Sequence, residues 1–321
     1  MRIRKVSRLV AVLAVCALFA SACGSDGDGE PTVGAGTEET GLLSGSSFKV
    51  GSKEFTEQLI LGQITIQMLE DAGADVSDET GLVGSNTVRA ALISGDIDMY
   101  WEYTGTGWIN HLGNTQPLKD AREQYDAVAK ADLEKNGVVW LEPAPFNNTY
   151  GIATSSENAT ALAVTKLSDL APLQQKNPDA FTLCAAAEFL ARDDGLPGLE
   201  TAYGFSFGSK ISELELGLVY ASVDKGDPCK FGEVFATAGQ IAALGLIVLD
   251  DDKQFFASYL PALNVRRDVE KTAELRTVFG PVAAALDTAT MQKLNSRVDV
   301  DGEQPEDVAR DFLTQNNLIG S

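Results

Sequence analysis

Residues 48–73 read FKVGSKEFTEQLILGQITIQMLEDAG, and the hydrophobic period changes inside them. Phe48-Lys49-Val50-Gly51 alternates as a strand does. Thr56 can cap a helix, in which Leu59, Ile60, Ile64, Met68 and Leu69 recur at helical spacing until Gly73 stops it. This is a βα unit, and the pattern repeats outward from it. Val76 and Leu82-Val83 suggest the next strand. After Asn86 a helix runs through Ala90, Ala91, Leu92 and Ile93 to Gly95. Asp96-Ile97-Asp98-Met99-Tyr100-Trp101 returns as strand and ends in the small-residue turn Thr104-Gly105-Thr106-Gly107. Such alternation implies a mostly parallel sheet with helices on both faces, and these sheets take ligands beyond the carboxyl ends of their strands. Lys53 and Tyr103 both fall at such ends.

Further on, Trp140-Leu141-Glu142-Pro143-Ala144-Pro145 looks like a stiff connector, and Asn147-Asn148-Thr149-Tyr150 leads into a new strand, Gly151-Ile152-Ala153. A second αβ region runs to about Leu249. Past Asp250-Asp251-Asp252 come Tyr259-Leu260-Pro261-Ala262-Leu263 and three helical stretches around 268–279, 281–294 and 305–316. At 321 residues the chain exceeds one ordinary domain, so two are expected. It carries 46 acidic against 25 basic side chains, a net charge of −21, which excludes electrostatic binding of nucleic acid. The single histidine, His111, removes multi-histidine metal sites and leaves any Ser-His-Asp or Cys-His triad hanging on one position. Just after the small-residue turn, it reads as a solvated or capping residue. Neither a metal nor a cofactor is expected. Ser46-Ser47-Phe48-Lys49 satisfies the SxxK pattern but lacks its partner motifs.

The N-terminus reads as an export signal. Arg2, Arg4, Lys5 and Arg8 precede an uncharged run over residues 9–22, which is too short to cross ~30 Å of hydrocarbon as a helix. Ala20-Ser21-Ala22-Cys23 resembles a bacterial lipoprotein signal, with Cys23 lipidated and residues 1–22 removed; an ordinary signal peptide with a chance cysteine is the alternative. Residues 23–47, rich in Gly, Ser, Thr, Asp and Glu, read as a flexible tether. Loss of four basic and no acidic residues takes the charge from −21 to −25. The protein is thus expected outside the cell membrane, held there by lipid alone. Cys184 and Cys229 then remain in an oxidising compartment, and an even remainder of two suggests a disulfide, the alternative being two buried thiols.

Four stretches carry a resemblance: Gly51-Ser52-Lys53-Glu54-Phe55-Thr56-Glu57-Gln58, Trp101-Glu102-Tyr103-Thr104-Gly105-Thr106-Gly107, Phe146-Asn147-Asn148-Thr149-Tyr150 and Arg192-Asp193-Asp194-Gly195-Leu196-Pro197-Gly198-Leu199. In this order, from about residue 48 to the C-terminus, the chain resembles the substrate-binding proteins of ABC importers for quaternary-amine osmoprotectants such as glycine betaine, carnitine and choline. The resemblance implies a type II periplasmic-binding fold: two α/β lobes joined by two crossover strands, with the ligand in the cleft. Lobe one would be residues 48–146 plus 257–321, lobe two 147–256. It also implies ABC permease subunits as partners. A monomer is expected.

A trimethylammonium group donates no conventional hydrogen bond, so selecting it needs several converging aromatic faces, each worth ~0.5–2 kcal/mol. The family's cage positions fall on Tyr103, Tyr150, Phe235 and Tyr259; the carboxylate end of a betaine falls to Lys53, Thr106 and Arg192, with Asn148 adding a polar contact. The alternative for Arg192, beside Asp193 and Asp194, is a surface ion pair of small worth. In Val234-Phe235-Ala236-Thr237-Ala238-Gly239 the chain departs from the family's AYSTDG-like pattern: Phe235 lacks a hydroxyl and Ala238 a carboxylate. A cell-surface enzyme or adhesion domain on a similar scaffold is the alternative, disfavoured because no nucleophile sits with a base.

Overall fold

The computed structural model describes residues 41–115 and 117–320. The signal segment, Cys23 and most of the tether lie outside the described residues. Among the described residues ten strands run in chain order: β1 (Ser47–Lys53), β2 (Asp75–Leu82), β3 (Met99–Tyr103), β4 (Val138–Trp140), β5 (Tyr150–Ser155), β6 (Leu183–Ala185), β7 (Ile211–Glu213), β8 (Phe231–Phe235), β9 (Leu246–Val248) and β10 (Pro261–Arg266). They form two five-stranded sheets of like topology, β2-β1-β3-β10-β4 and β7-β6-β8-β5-β9.

In each sheet three strands are parallel, as the βα alternation demands, and a fourth enters antiparallel between them and the edge strand. The sheets are therefore mixed rather than mostly parallel. The physical reason is that β5 and β10 do not follow a helix of their own sheet. Each arrives along a connector from the other lobe, residues 141–149 leading to β5 and residues 249–260 leading to β10. The connectors run side by side: the Asn148 amide donates to the Tyr259 carbonyl (3.2 Å), and the Ala144 amide to the Pro261 carbonyl (2.9 Å).

The helix Thr56–Asp71 turns Ile60, Leu61, Ile64 and Leu69 into the first core, where they pack with Val308, Phe312 and Leu313 of the helix Pro305–Gln315. Its cap is Phe55, whose side chain makes no capping bond; Thr56 is the first helical residue and its hydroxyl instead bonds Asp299. Folded structure also begins earlier than the composition of the tether suggests. Leu43 is fully buried and its amide bonds the Ala72 carbonyl at 2.9 Å, while the Asp75 amide donates to the Ser46 carbonyl (2.9 Å) and Lys271 Nζ to the Ser44 carbonyl (3.2 Å), which together hold residues 41–46 against the first lobe. Residues 96–98 lie outside the strand, and β3 starts at Met99. Pro281 lies inside the helix Thr272–Ala285 rather than starting the next one, Thr288–Asp299. In the second lobe the sulfurs of Cys184 and Cys229 are bonded, joining β6 to the segment before β8 with Cα atoms 5.6 Å apart.

Candidate ligand-binding cleft

Between the two sheets lies a cleft of about 760 Å³, and all eight side chains expected to contact ligand line it: Lys53, Tyr103, Thr106, Asn148, Tyr150, Arg192, Phe235 and Tyr259. They arrive from separate places. Lys53 and Tyr103 end parallel strands of the first sheet, Asn148 sits on a connector, Tyr150 opens β5, and Phe235 ends β8 directly opposite Tyr150 in the ladder. Tyr259 sits on the second connector, its amide held by Asn147 Oδ1 at 2.7 Å. Its ring lies flat against Gly105, where a Cβ would come within 2.5 Å of Cε1; that approach requires glycine.

The rings form one chain of contacts. Tyr150 stands 5.1 Å from Phe235 and 5.5 Å, edge-on, from Tyr259; Phe55 bridges Phe235 (5.1 Å) and Tyr103 (6.3 Å). Phe55, part of a motif but not counted among the cage residues, therefore supplies a fifth ring. Lying between strand and helix, it shows no periodicity that would single it out.

The two cations of the cleft are already engaged. Lys53 Nζ lies 2.7 Å from Glu102 Oε1 and 5.1 Å from the Tyr103 ring centroid. Arg192 grips Asp194 through Nε (2.7 Å) and Nη2 (2.5 Å), and Glu188 through Nη1 (2.6 Å), while Nη2 reaches Thr106 Oγ1 at 3.4 Å. With Arg192 and Asp194 each only 6% exposed, this is a buried ion pair and not a surface one. Tyr259 donates to the same Asp194 (2.6 Å). His111 is neither solvated nor capping: its Nε2 sits 2.9 Å from Glu102 Oε2, which also accepts from Tyr100 (2.8 Å).

Glu102, Glu57, Glu188 and Glu233 escaped the sequence reading because acidic residues in strands and first helical turns usually face solvent. Burial pushes all four up, and the neighbouring cations sort them. Burial alone would push the Glu102 carboxyl up, but Lys53 and His111 hold it well below the usual range. Glu188 is treated likewise by Lys53, Arg192 and Ser85, which outweigh burial and lower it. Glu233, with only the Ala186 amide as donor (2.8 Å), is pushed up by burial to about 8. Glu57 is raised by burial, which four donating side chains oppose but do not overcome.

The lobes touch across the cleft at both ends. The Ser85 amide (3.0 Å) and hydroxyl (2.7 Å) donate to Glu188, while Thr237 donates to Glu57 and accepts from Asn295 through its carbonyl (2.9 Å). This arrangement suits a molecule with a cationic head against the rings and an acidic end near Arg192 and Lys53.

The model of the OpuAC family, the substrate-binding domain of ABC-type glycine betaine transport systems, matches residues 46–315. The chain belongs to the OpuAC family. It is 41% identical over 294 residues to a glycine-betaine-binding protein of Pseudomonas aeruginosa, covering 89% of this chain and 93% of that one. It is 37% identical over 281 residues to the glycine betaine-binding protein YehZ of Escherichia coli, covering 85% and 92%. A solved structure described as a glycine betaine/carnitine/choline ABC transporter superposes with a TM-score of 0.68 at 27% identity, over 84% of this chain and 99% of that one. This OpuAC-family chain thus has the two-lobed α/β fold of the periplasmic binding proteins, and it is a substrate-binding protein of an ABC importer. OpuAC-family proteins bind solutes for transporters rather than transform them, and they work outside the cytoplasm. Among the described residues no helix is long and apolar enough to cross a membrane.

Proposed function

We propose that this protein captures a quaternary-amine osmoprotectant, glycine betaine or a related betaine, carnitine or choline, and presents it to ABC permease subunits as a lipid-anchored monomer. The observation that carries the reading is the continuous ring system of Phe55, Tyr103, Tyr150, Phe235 and Tyr259 facing one cleft. Such rings offer negative faces to a cation that cannot hydrogen-bond. Tyr103, Tyr150, Phe235 and Tyr259 hold the trimethylammonium head; Lys53, Thr106 and Arg192 take the carboxylate, and Asn148 contributes a polar contact beside the cage. Cys23 bears the lipid, and the acyl chains are the only membrane contact. Relatives whose names specify glycine betaine and carnitine support this choice of ligand class.

A thermal-shift panel of glycine betaine, carnitine, choline and amino acids tests it. At millimolar ligand and micromolar affinity the native state gains about 4 kcal/mol. A melting temperature moved by quaternary amines and not by amino acids is the expected result; no shift with any quaternary amine defeats the reading.

A further inference from the structure

Three carboxylates around the cleft have a protein cation: Glu102 has Lys53, and Glu188 and Asp194 have Arg192. Three that line it, Glu57, Glu233 and Asp299, have no ion-pair partner among the described residues. Of these, Glu57 is built differently. It is 2% exposed, and its two oxygens accept four hydrogen bonds: Tyr103 hydroxyl (2.7 Å) and Asn148 Nδ2 (2.9 Å) on Oε1, Thr237 Oγ1 (2.5 Å) and Asn295 Nδ2 (3.2 Å) on Oε2. Every donor is neutral. Four donors to a carboxylate favour its charged form, whereas Glu233 accepts a single bond. The cost of a buried unpaired charge remains, because hydrogen bonds do not cancel it.

The two other acceptors nearby point the same way. Asn148 Oδ1 and Asn295 Oδ1 are buried without a hydrogen-bond partner, although the amide nitrogens beside them are spent on Glu57. Glu57 thus stands behind the ring system with no ion-pair partner among the described residues, the nearby Lys53 being paired with Glu102, and Tyr103 joins carboxylate and rings, its ring in the aromatic chain and its hydroxyl on Glu57.

We propose that Glu57 is the anionic pole of the cation site: the ligand's positive charge, not any side chain, is its counter-ion, so Glu57 sets discrimination by charge where the rings set discrimination by shape. This rests on the quaternary-amine reading above. It makes the ring system a charged cage and not a purely aromatic one, and it predicts that charge selection exceeds what the rings alone provide.

The test uses a pair of equal shape, glycine betaine and 3,3-dimethylbutanoate, in which carbon replaces the charged nitrogen. Calorimetry on the wild-type protein and on Glu57→Gln, with folding checked by near-ultraviolet circular dichroism, gives four affinities. The expected result is at least a ten-fold loss of glycine betaine affinity in Glu57→Gln, with 3,3-dimethylbutanoate weakened less than three-fold or strengthened. Equal losses for both would mean that Glu57 only holds its neighbours in place, and would overturn the proposal. Should Glu57→Gln not fold, Thr237→Val removes one donor and keeps the carboxyl; the ratio of the two affinities must then shrink three-fold or more, and an unchanged ratio overturns the proposal equally. Wild-type protein that binds neither glycine betaine nor choline defeats the quaternary-amine reading itself, a result distinct from either of these.

Discussion

At the scale of single residues, Arg192 answers to two demands. It is expected to receive the ligand's carboxylate, yet Asp194 and Glu188 already occupy three of its nitrogens. Removing one partner of a buried pair leaves the other charged and unpaired, at a cost of about 3–5 kcal/mol, so a simple truncation would confuse folding with binding. Removing both charges separates them. Arg192→Met should lower stability by roughly 3 kcal/mol and weaken glycine betaine at least ten-fold. In Arg192→Met/Asp194→Asn most of the stability should return while glycine betaine stays weak and choline, which has no carboxylate, is changed little. Denaturant unfolding and calorimetry on the three proteins decide it; a double variant that regains glycine betaine affinity would remove Arg192 from the binding site. The sequence displayed Arg192 and its two acidic neighbours but not which of them would be buried: Asp194 is at 6% exposure, while Asp193 is exposed. Glu57 was hidden for a related reason. A glutamate in the first helical turn is what any helix favours electrostatically, so its type and place announce nothing.

Among elements, one contact between the lobes is made by helices, outside the cage. The short helix Gly239–Ala243 of the second lobe packs on Thr288–Asp299, and a Cβ at Gly239 would lie 2.4 Å from Ser296 Cα. Gln292 Nε2 reaches the Ala236 carbonyl across the same seam (3.1 Å). Backbone sits behind the clash, so it cannot be relieved by a rotamer change. Gly239→Val should therefore hold the lobes apart, weakening glycine betaine and choline by the same factor, of order ten or more, with each lobe's fold intact. Small-angle scattering should show a larger radius of gyration with ligand than the wild type has. Unchanged affinities would mean that this seam does not form when ligand is held. The helices themselves were legible from their apolar spacing, as Ile60, Ile64 and Leu69 show. The placing of β5 and β10 was not: Gly151-Ile152-Ala153 has the apolar look of any buried strand, and its antiparallel partner β8 lies about eighty residues further on. Local pattern carries no information about that pairing.

Across the whole molecule, carboxyl groups held at opposite extremes set how stability depends on pH. Burial raises Glu233 to about 8, and Glu57 is raised in the same direction. A carboxyl whose pKa is higher folded than unfolded binds its proton more tightly in the native state, so stability falls as pH climbs from the ordinary 4.5 toward 8. Glu102 is lowered by Lys53 and His111 against the effect of burial, and so it contributes stability above about pH 4.5 that is lost as the pH falls below it. The net charge of −21 adds self-repulsion that grows in the same direction as the Glu233 effect. Stability should thus be greatest in mildly acidic solution, near pH 5–6, and decline toward pH 8. Tenfold in proton affinity is about 1.4 kcal/mol, so Glu233 accounts for at most about 5 kcal/mol of that decline. Glu233→Gln imitates the protonated carboxyl at every pH. Urea unfolding at pH 5, 6.5 and 8 should show the variant close to wild type at pH 5 and more stable at pH 8, by roughly 2 kcal/mol or more. The Cys184–Cys229 bond is in both proteins and cancels from the difference. If the two proteins lose stability in parallel from pH 5 to 8, Glu233 is not the group that titrates, and the decline belongs to Glu57 or to the net charge.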